Sequence, residues 1–208
     1  VFWVDGVGDG FGVDLVGGSL SVVPPANWNG EENITVWAGD GEYNVSTVVC
    51  LNVAPVNDPP VGVDGEVTLL EDHTQTVDLS QYFTDVDSTL TYTITPSSNT
   101  PTGLADIQNG ILHITPPTNW NGDTTLTITA TDGEYATQNT LTIHITPVND
   151  PPVVLGEGIL EMPEDSNGAI DVSSLFEDVD SDLVFWVDGV GDGFGVDLVG
   201  GSLSVVPP

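Results

Sequence analysis

The sequence predicts an all-β protein built as tandem seven-stranded Greek-key sandwiches, one complete unit flanked by two partial units. Three observations carry that expectation. The chain repeats itself with a period near 92 residues, its apolar residues alternate with threonine in short runs, and Gly, Pro, Asn and Asp punctuate those runs at frequent intervals. A helical period is not visible in any stretch.

The period is read from recurring words. NWNG at 27–30 returns at 119–122, DGEY at 40–43 at 132–135 and PVNDPP at 55–60 at 147–152, each 92 residues on (119 − 27, 132 − 40, 147 − 55). FTDVDS at 83–88 returns as FEDVDS at 176–181 and Glu71-Asp72 as Glu164-Asp165, each 93 on (176 − 83, 164 − 71). The opening passage VFWVDGVGDGFGVDLVGGSLSVVPP returns unchanged at 184–208, 183 residues on (184 − 1), which is close to two periods. Paired prolines after Asn57-Asp58 and Asn149-Asp150 stop a strand and stiffen the passage onward, so the units divide there. Residues 1–57 read as the C-terminal part of a repeat, 58–150 as a complete repeat and 151–208 as the N-terminal part of another.

Within the complete unit the elements follow in order. Short strands are expected at 65–70 and 75–79. Leu90, Tyr92 and Ile94 then alternate with Thr91, Thr93 and Thr95, and a further short strand is expected at 111–115. Leu126, Ile128 and Ala130 alternate with threonines in turn, and Leu141, Ile143 and Ile145 make the last run. Alternation puts the apolar set on one face, and threonine suits the wet face because its β-branch fits the pleat while its hydroxyl tolerates water. About seven such strands in a unit of this length make an antiparallel Greek-key sandwich.

The charge balance narrows the function classes. Among 208 residues there are 32 Asp and Glu, three His and no Lys or Arg, a net charge of −32. Carboxylates without side-chain cations repel polyphosphate and anionic lipid, so nucleic-acid binding and membrane insertion are not expected. Such a surface attracts hard cations that take oxygen ligands, Ca²⁺ foremost; alternatively the charge only keeps a secreted protein soluble. Cys50 is the single cysteine, so no disulfide framework exists. No window reaches the apolar length of a membrane span, and the absence of a signal peptide and initiator Met reads as a piece of a longer chain. Asn33 and Asn44 head N-x-[ST] sequons, a short pattern that is weak evidence for glycosylation.

The acidic motifs gather where units meet. Asp85-Val86-Asp87 and Asp178-Val179-Asp180 set two carboxylates at alternate positions, so both converge on one side of an extended segment. Unneutralised, they would repel; a calcium ion with six to eight oxygen ligands needs such a cluster. The other reading makes them Asx-turn residues at loop ends.

In order and spacing these motifs resemble the cadherin-like tandem repeats of large bacterial extracellular adhesins. PVNDPP is similar to the cadherin linker, DVDS to its Asp-x-Asp element, ATDGEY at 130–135 to its Ala-x-Asp turn, and NGILHITPP to the Gly-rich turn and strand before that family's central region. The resemblance covers nearly the whole chain. It implies one calcium joint of Asn57, Asp58, Asp85, Asp87 and Asp132, and a second of Glu71 with Asn149, Asp150, Asp178 and Asp180. Where cadherins carry Asp-Arg-Glu this chain has Asn119-Trp120-Asn121-Gly122-Asp123, so one or two ions per joint are expected rather than three.

Other motifs carry less. DGVGDGFGVD at 5–14 is similar to one copy of a calcium-binding nonapeptide repeat, but that architecture needs consecutive copies, so a loop is expected. His73, His113 and His144 lack metal-ligand spacing; His113 aligns with Ser21 and His144 with Asn52, on wet strand faces. No nucleophile elbow or Cys-His pair is visible, and the expected protein is not an enzyme. Trp28 and Trp120 in NWNG read as structural corners, whereas Trp3 and Trp186 in VFWV could face either way. Cys50 aligns with Thr142, an outward position; it reads as a small packed apolar residue or as a contact between chains.

The expected function is that of a structural segment of an extracellular, calcium-stiffened fibre or adhesin, with a cell-surface or matrix ligand as a further partner. The alternative is an accessory polysaccharide-binding module of a secreted enzyme, which a row of solvent-facing aromatics would favour. Residues 153–183 followed by 1–60 total 91 residues (31 + 60), one full unit, so neighbouring copies are expected head to tail. That pairing would bring Asp40, the counterpart of Asp132, to Asp178 and Asp180.

Overall fold

The computed structural model describes residues 1–189 and 193–207. The second copy of the Gly-Asp loop, 188–197, lies partly outside the described residues, as does Pro208 at the end of the last predicted unit. Nearly all regular structure is β. The first segment holds β1 (Phe2–Asp5), β2 (Gly12–Val16), β3 (Ser19–Val23), β4 (Gly30–Gly39) and β5 (Asn44–Val53). The middle segment holds β6 (Val61–Gly62), β7 (Gly65–Leu70), β8 (Gln75–Asp78), β9 (Phe83–Thr84), β10 (Thr91–Pro96), β11 (Ala105–Gln108), β12 (Ile111–Ile114), β13 (Gly122–Thr131) and β14 (Ala136–Thr146). The last holds β15 (Val153–Val154), β16 (Gly168–Asp171), β17 (Phe176–Glu177), β18 (Gly195–Val199) and β19 (Ser202–Val206).

The middle segment is a complete seven-stranded sandwich. One sheet runs β10–β13–β14–β7 and the other β11–β12–β8, with the short β6–β9 pair at one end. All pairings are antiparallel except β7 on β14, which is parallel, because the chain leaves one sheet after β7 and enters the other at β8. The alternating residues face inward as expected: Leu112, Ile114, Leu126, Ile128, Leu141 and Ile143 lie in one core with Val77 and Leu79. Threonines cover the other face of β10–β13, and Thr91, Thr93 and Thr95 sit directly opposite Thr131, Thr129 and Thr127. The sequence reading singled out no strand at 105–108, too short to show alternation, yet Ile107 pairs with Leu112 there. Gly65 starts β7 where a Cβ would run into the Tyr82 ring, so only glycine lets β7 dock beside β14.

The flanking segments are halves of the same fold. Residues 1–57 supply a β1–β4–β5 sheet and a separate β2–β3 hairpin, counterparts of β10–β13–β14 and β11–β12, with nothing in the place of β7 and β8. The last segment supplies β16–β19–β18, the counterpart of β8–β12–β11, and the β15–β17 pair. Among the described residues, every member of the buried apolar core except Ile34 belongs to the middle unit.

The repeated passage tests what makes a strand. GVDLVGGSLSVV forms the same hairpin in both copies, Leu15 opposite Leu20 and Leu198 opposite Leu203, because its partner is local. VFWVD differs. Residues 2–5 pair with 35–38 of β4, whereas 184–188 form no strand and leave Val184 and Trp186 80% and 83% exposed. The alternating run therefore overstates the second copy: strand formation there needs a long-range partner that the segment does not contain.

Candidate functional site

Apart from Asp40, the sequence-predicted ligands fall into two groups, one at each end of the middle unit. At the first linker, Asn57 Nδ2 donates to Asp132 Oδ2 (2.8 Å), the Asp58 N–H donates to Asp87 Oδ2 (3.2 Å), and Ser88 Oγ donates to Asn57 Oδ1 (3.0 Å). Asp85 is an Asx turn that accepts the N–H groups of Asp87 and Ser88 through Oδ1, while its Oδ2 is buried with no partner. The five expected residues thus come together, and Asp58 and Asp87 border a cleft of about 310 Å³. Burial opposes ionisation of Asp132, but the N–H of Tyr135, the Asn57 amide and the N–H of Glu134 outweigh it and hold the carboxyl below its usual range.

The second linker repeats the pattern. The Asp150 N–H donates to Asp180 Oδ2 (3.0 Å), Ser181 Oγ to Asn149 Oδ1 (3.0 Å), and Asp178 Oδ1 accepts the N–H groups of Asp180 and Ser181. One difference is informative. Asn149 Nδ2 turns to the carbonyl of Asp150 (2.9 Å), having no counterpart of Asp132 to meet. That counterpart, Asp40, sits in the β4–β5 turn with Oδ1 on the N–H groups of Tyr43 and Glu42, which lower its pKa. Within one chain the structure therefore does not bring Asp40 to Asp178 and Asp180.

Glu71 is buried, with Oε1 accepting the N–H of Val148 (2.7 Å) and Oε2 the Asn121 amide (3.0 Å). Asp72 Oδ1 accepts the Asn119 N–H (3.0 Å). The Glu-Asp pair therefore clasps the NWNG corner and ties it to the linker, a link the spacing did not reveal. Desolvation, then the charges of Asp72, Asp180, Glu71 and Asp178, push the Asp150 carboxyl above its usual range. Mutual repulsion among these acids is the electrostatic signature of a site short of positive charge. Among the described residues, no three Asp, Glu, His or Cys side chains stand in a preformed metal cage.

The tryptophans divide. Trp120 packs against the core and Trp28 meets Phe11 edge-on at 4.8 Å, as corners should. Trp3 stacks on Trp37 across β1–β4 at 5.7 Å, parallel to within 2°, on the face where the middle unit has Thr93 and Thr129. Trp37 was missed in the sequence; its alternate spacing from Thr35 was the available signal. Cys50 is exposed, not packed, because β5 has a neighbour on one side only.

His144 is the one imidazole held by acids. Nδ1 lies 2.7 Å from Asp123 Oδ1 and Nε2 3.2 Å from Glu66 Oε1, so it bridges β13, β14 and β7. The Asp123 hydrogen bond, with the Asp123 and Glu66 charges, raises its pKa against partial desolvation. A raised folded pKa stabilises fully below the unfolded value of about 6.5 and ceases to do so as pH climbs through the folded one. The melting temperature of the middle unit is expected to fall over that alkaline-going window, and His144→Gln to flatten the fall in a pH series of thermal melts.

Residues 57–146 match the family profile described as Bacterial Ig domain. Among solved structures, a PcdhgB3 EC1-4 fragment superposes with a TM-score of 0.56 at 15% identity, covering 100% of this chain and 57% of that one. A protocadherin gamma B7 fragment of extracellular cadherin domains 1-4 gives 0.47 at 16% identity, covering 100% and 58%. An endo-fucoidan hydrolase from glycoside hydrolase family 107 gives 0.37 at 17%, covering 100% and 34%, so the chain spans about a third of that enzyme's length. No curated protein matches the sequence. The middle segment thus has an Ig/cadherin-like sandwich fold. No helix among the described residues is long and apolar enough to cross a membrane.

Proposed function

We propose that this chain is a structural segment of an extracellular, bacterial adhesin-type fibre whose joints are stiffened by calcium, with no catalytic role of its own. The observation that carries the reading is the convergence of Asn57, Asp58, Asp85, Asp87 and Asp132 at one linker, repeated by Asn149, Asp150, Asp178 and Asp180 at the next. The donor set is all oxygen, which fits calcium and excludes softer ions by chemistry. Calcium would supply the positive charge that a chain without Lys or Arg lacks, relieving the repulsion on Asp150. The unpartnered Asp85 Oδ2 is the oxygen most in need of such a ligand. Copies continue head to tail, and the far end of the array meets a cell-surface or matrix ligand.

Calcium binding to the folded state is expected to raise stability by about 2.7 kcal/mol at a hundredfold excess over Kd. Thermal melts with calcium and with chelator, alongside small-angle scattering of the chain's length, measure it. Unchanged melting temperature and length would reject calcium as the organiser. The stacked Trp3–Trp37 pair supports a second reading, a polysaccharide-binding module, because it puts aromatic surface where threonines would serve a plain wet face. Quenching of tryptophan fluorescence by soluble polysaccharide, lost in Trp3→Ala, is the result that reading requires.

A further inference from the structure

We propose that Asn33 and Asn44 are glycan attachment sites on one face of the β4–β5 hairpin, and that the Trp3–Trp37 pair on that face is the shelf on which the attached sugars rest. The inference rests on the extracellular part of the reading above and is independent of calcium. Both N-x-[ST] words of the chain lie in this hairpin, Asn33-Ile34-Thr35 within β4 and Asn44-Val45-Ser46 at the start of β5. Ile34 is fully buried and pairs with Val49. The strand period of two therefore sends Asn33, Thr35 and Trp37 to the outer face, with Asn44 and Ser46 beside them. Asn33 and Asn44 are both exposed. The middle unit shows that this face stays open in a complete sandwich: Ala136, the counterpart of Asn44, is exposed, and Thr125, the counterpart of Asn33, is only half-buried although β13 is a central strand.

Two further features single out the hairpin. Each sequon carries a glutamate two residues before its asparagine, Glu31 and Glu42. In β4 the acid, amide and hydroxyl stand in one row, Glu31–Asn33–Thr35, so a transferase with a basic side chain in its acceptor groove gains an ion pair beside the reacting amide. Acids are 15% of the chain, so composition alone does not place one there twice. The second feature is what the middle unit has instead. Residues 58–150 contain no N-x-[ST] word. Where the hairpin face sets Trp3 opposite Trp37 and Gly39 opposite Asn44, the middle unit sets Thr93 opposite Thr129 and Thr131 opposite Ala136. Sequons and aromatic pair thus occur together, in one segment and on one face. Trp37 pairs directly with Ser46, which makes Asn44 its diagonal neighbour at about 7–8 Å, a distance that the first sugar spans. A Cβ at Gly39 would run into the Asn44 side chain, so glycine there leaves the amide uncrowded. Sugar rings lay their C–H faces on an indole while their hydroxyls stay wet.

In the transfer, Nδ2 of the asparagine bonds to the anomeric carbon of an oligosaccharide carried on a lipid diphosphate. The bond from that carbon to the diphosphate oxygen breaks, the diphosphate leaves with the electron pair, and the amide gives up one proton; nothing is oxidised or reduced. The 208-residue chain, exported to the periplasm of a bacterial host that carries such a transferase and its lipid-linked oligosaccharide, is expected to gain one glycan mass at each asparagine. Asn33→Gln and Asn44→Gln should each remove one, and Glu31→Gln and Glu42→Gln should each lower occupancy at their own site alone. Acrylamide quenching of tryptophan fluorescence reads the shelf: the glycosylated chain should be quenched less than the unmodified one, and Asn44→Gln should undo most of that protection. A periplasmic chain with glycan at neither asparagine would overturn the proposal and leave the calcium melts to judge the fibre reading. Glycan at both sites with quenching unchanged would overturn the shelf, and occupancy indifferent to both glutamate substitutions would overturn the role of the acids.

Discussion

Replacing Leu112 by alanine is expected to lower the stability of the middle unit by about 2–5 kcal/mol, a large share of what a domain of this size possesses. Leu112 is fully buried, in a core that both sheets supply: Leu126, Ile128 and Ile143 from one side, Val77 and Ile114 from the other. Removing it leaves a cavity that two hydrogen-bonded sheets cannot collapse around. The same substitution at Leu203, its counterpart on β19, should cost far less, because Leu203 is only half-buried. Urea denaturation of both variants gives the comparison. Equal losses at the two positions would mean that the C-terminal half owns a core after all.

That contrast also shows how much the amino-acid order reveals unaided. The alternation at Leu126–Ala130 and Leu141–Ile145 reads directly as strands with one buried face, because strand side chains have a period of two and the core demands it. The units and their linkers are legible for the same reason that they recur: each repeat must solve the same packing problem with the same turn residues. What is not legible is anything a distant partner decides. VFWVD is strand at Phe2–Asp5 and not at 184–188, with identical local propensity, since only the first copy meets β4. The Asp-x-Asp pairs beside the linkers could be read from spacing, whereas Asp132 enters the joint only through the family resemblance, and Asn57 does reach it. Glu71 is placed at the second joint by the resemblance, but its hydrogen bonds to Asn121 and Val148 cross 50 and 77 residues, and no spacing rule connects an acidic pair to a Trp corner. Trp37 escaped because a single aromatic in a strand is ordinarily core, and only the pairing with Trp3 places it outside.

Glu71 therefore separates structure from charge at the second linker. Glu71→Ala should cost about 1–3 kcal/mol, because it strands the half-buried Val148 N–H, whereas the amide of Asn121, an exposed residue, can turn to water. Glu71→Gln keeps both partners, because its amide oxygen can accept from Val148 and Asn121 can turn its own oxygen toward the new NH₂. The conservative variant should consequently fold with little loss in chelator. It removes one of the charges that crowd Asp150, however, and so weakens the attraction for a divalent ion there. Measured as urea midpoints with and without calcium, Glu71→Ala is expected to lower both, whereas Glu71→Gln lowers mainly the gain that calcium brings. If Glu71→Gln kept the full calcium gain, Glu71 would be a clasp on the NWNG corner alone, and any ion at this linker would rest on Asn149, Asp150, Asp178 and Asp180.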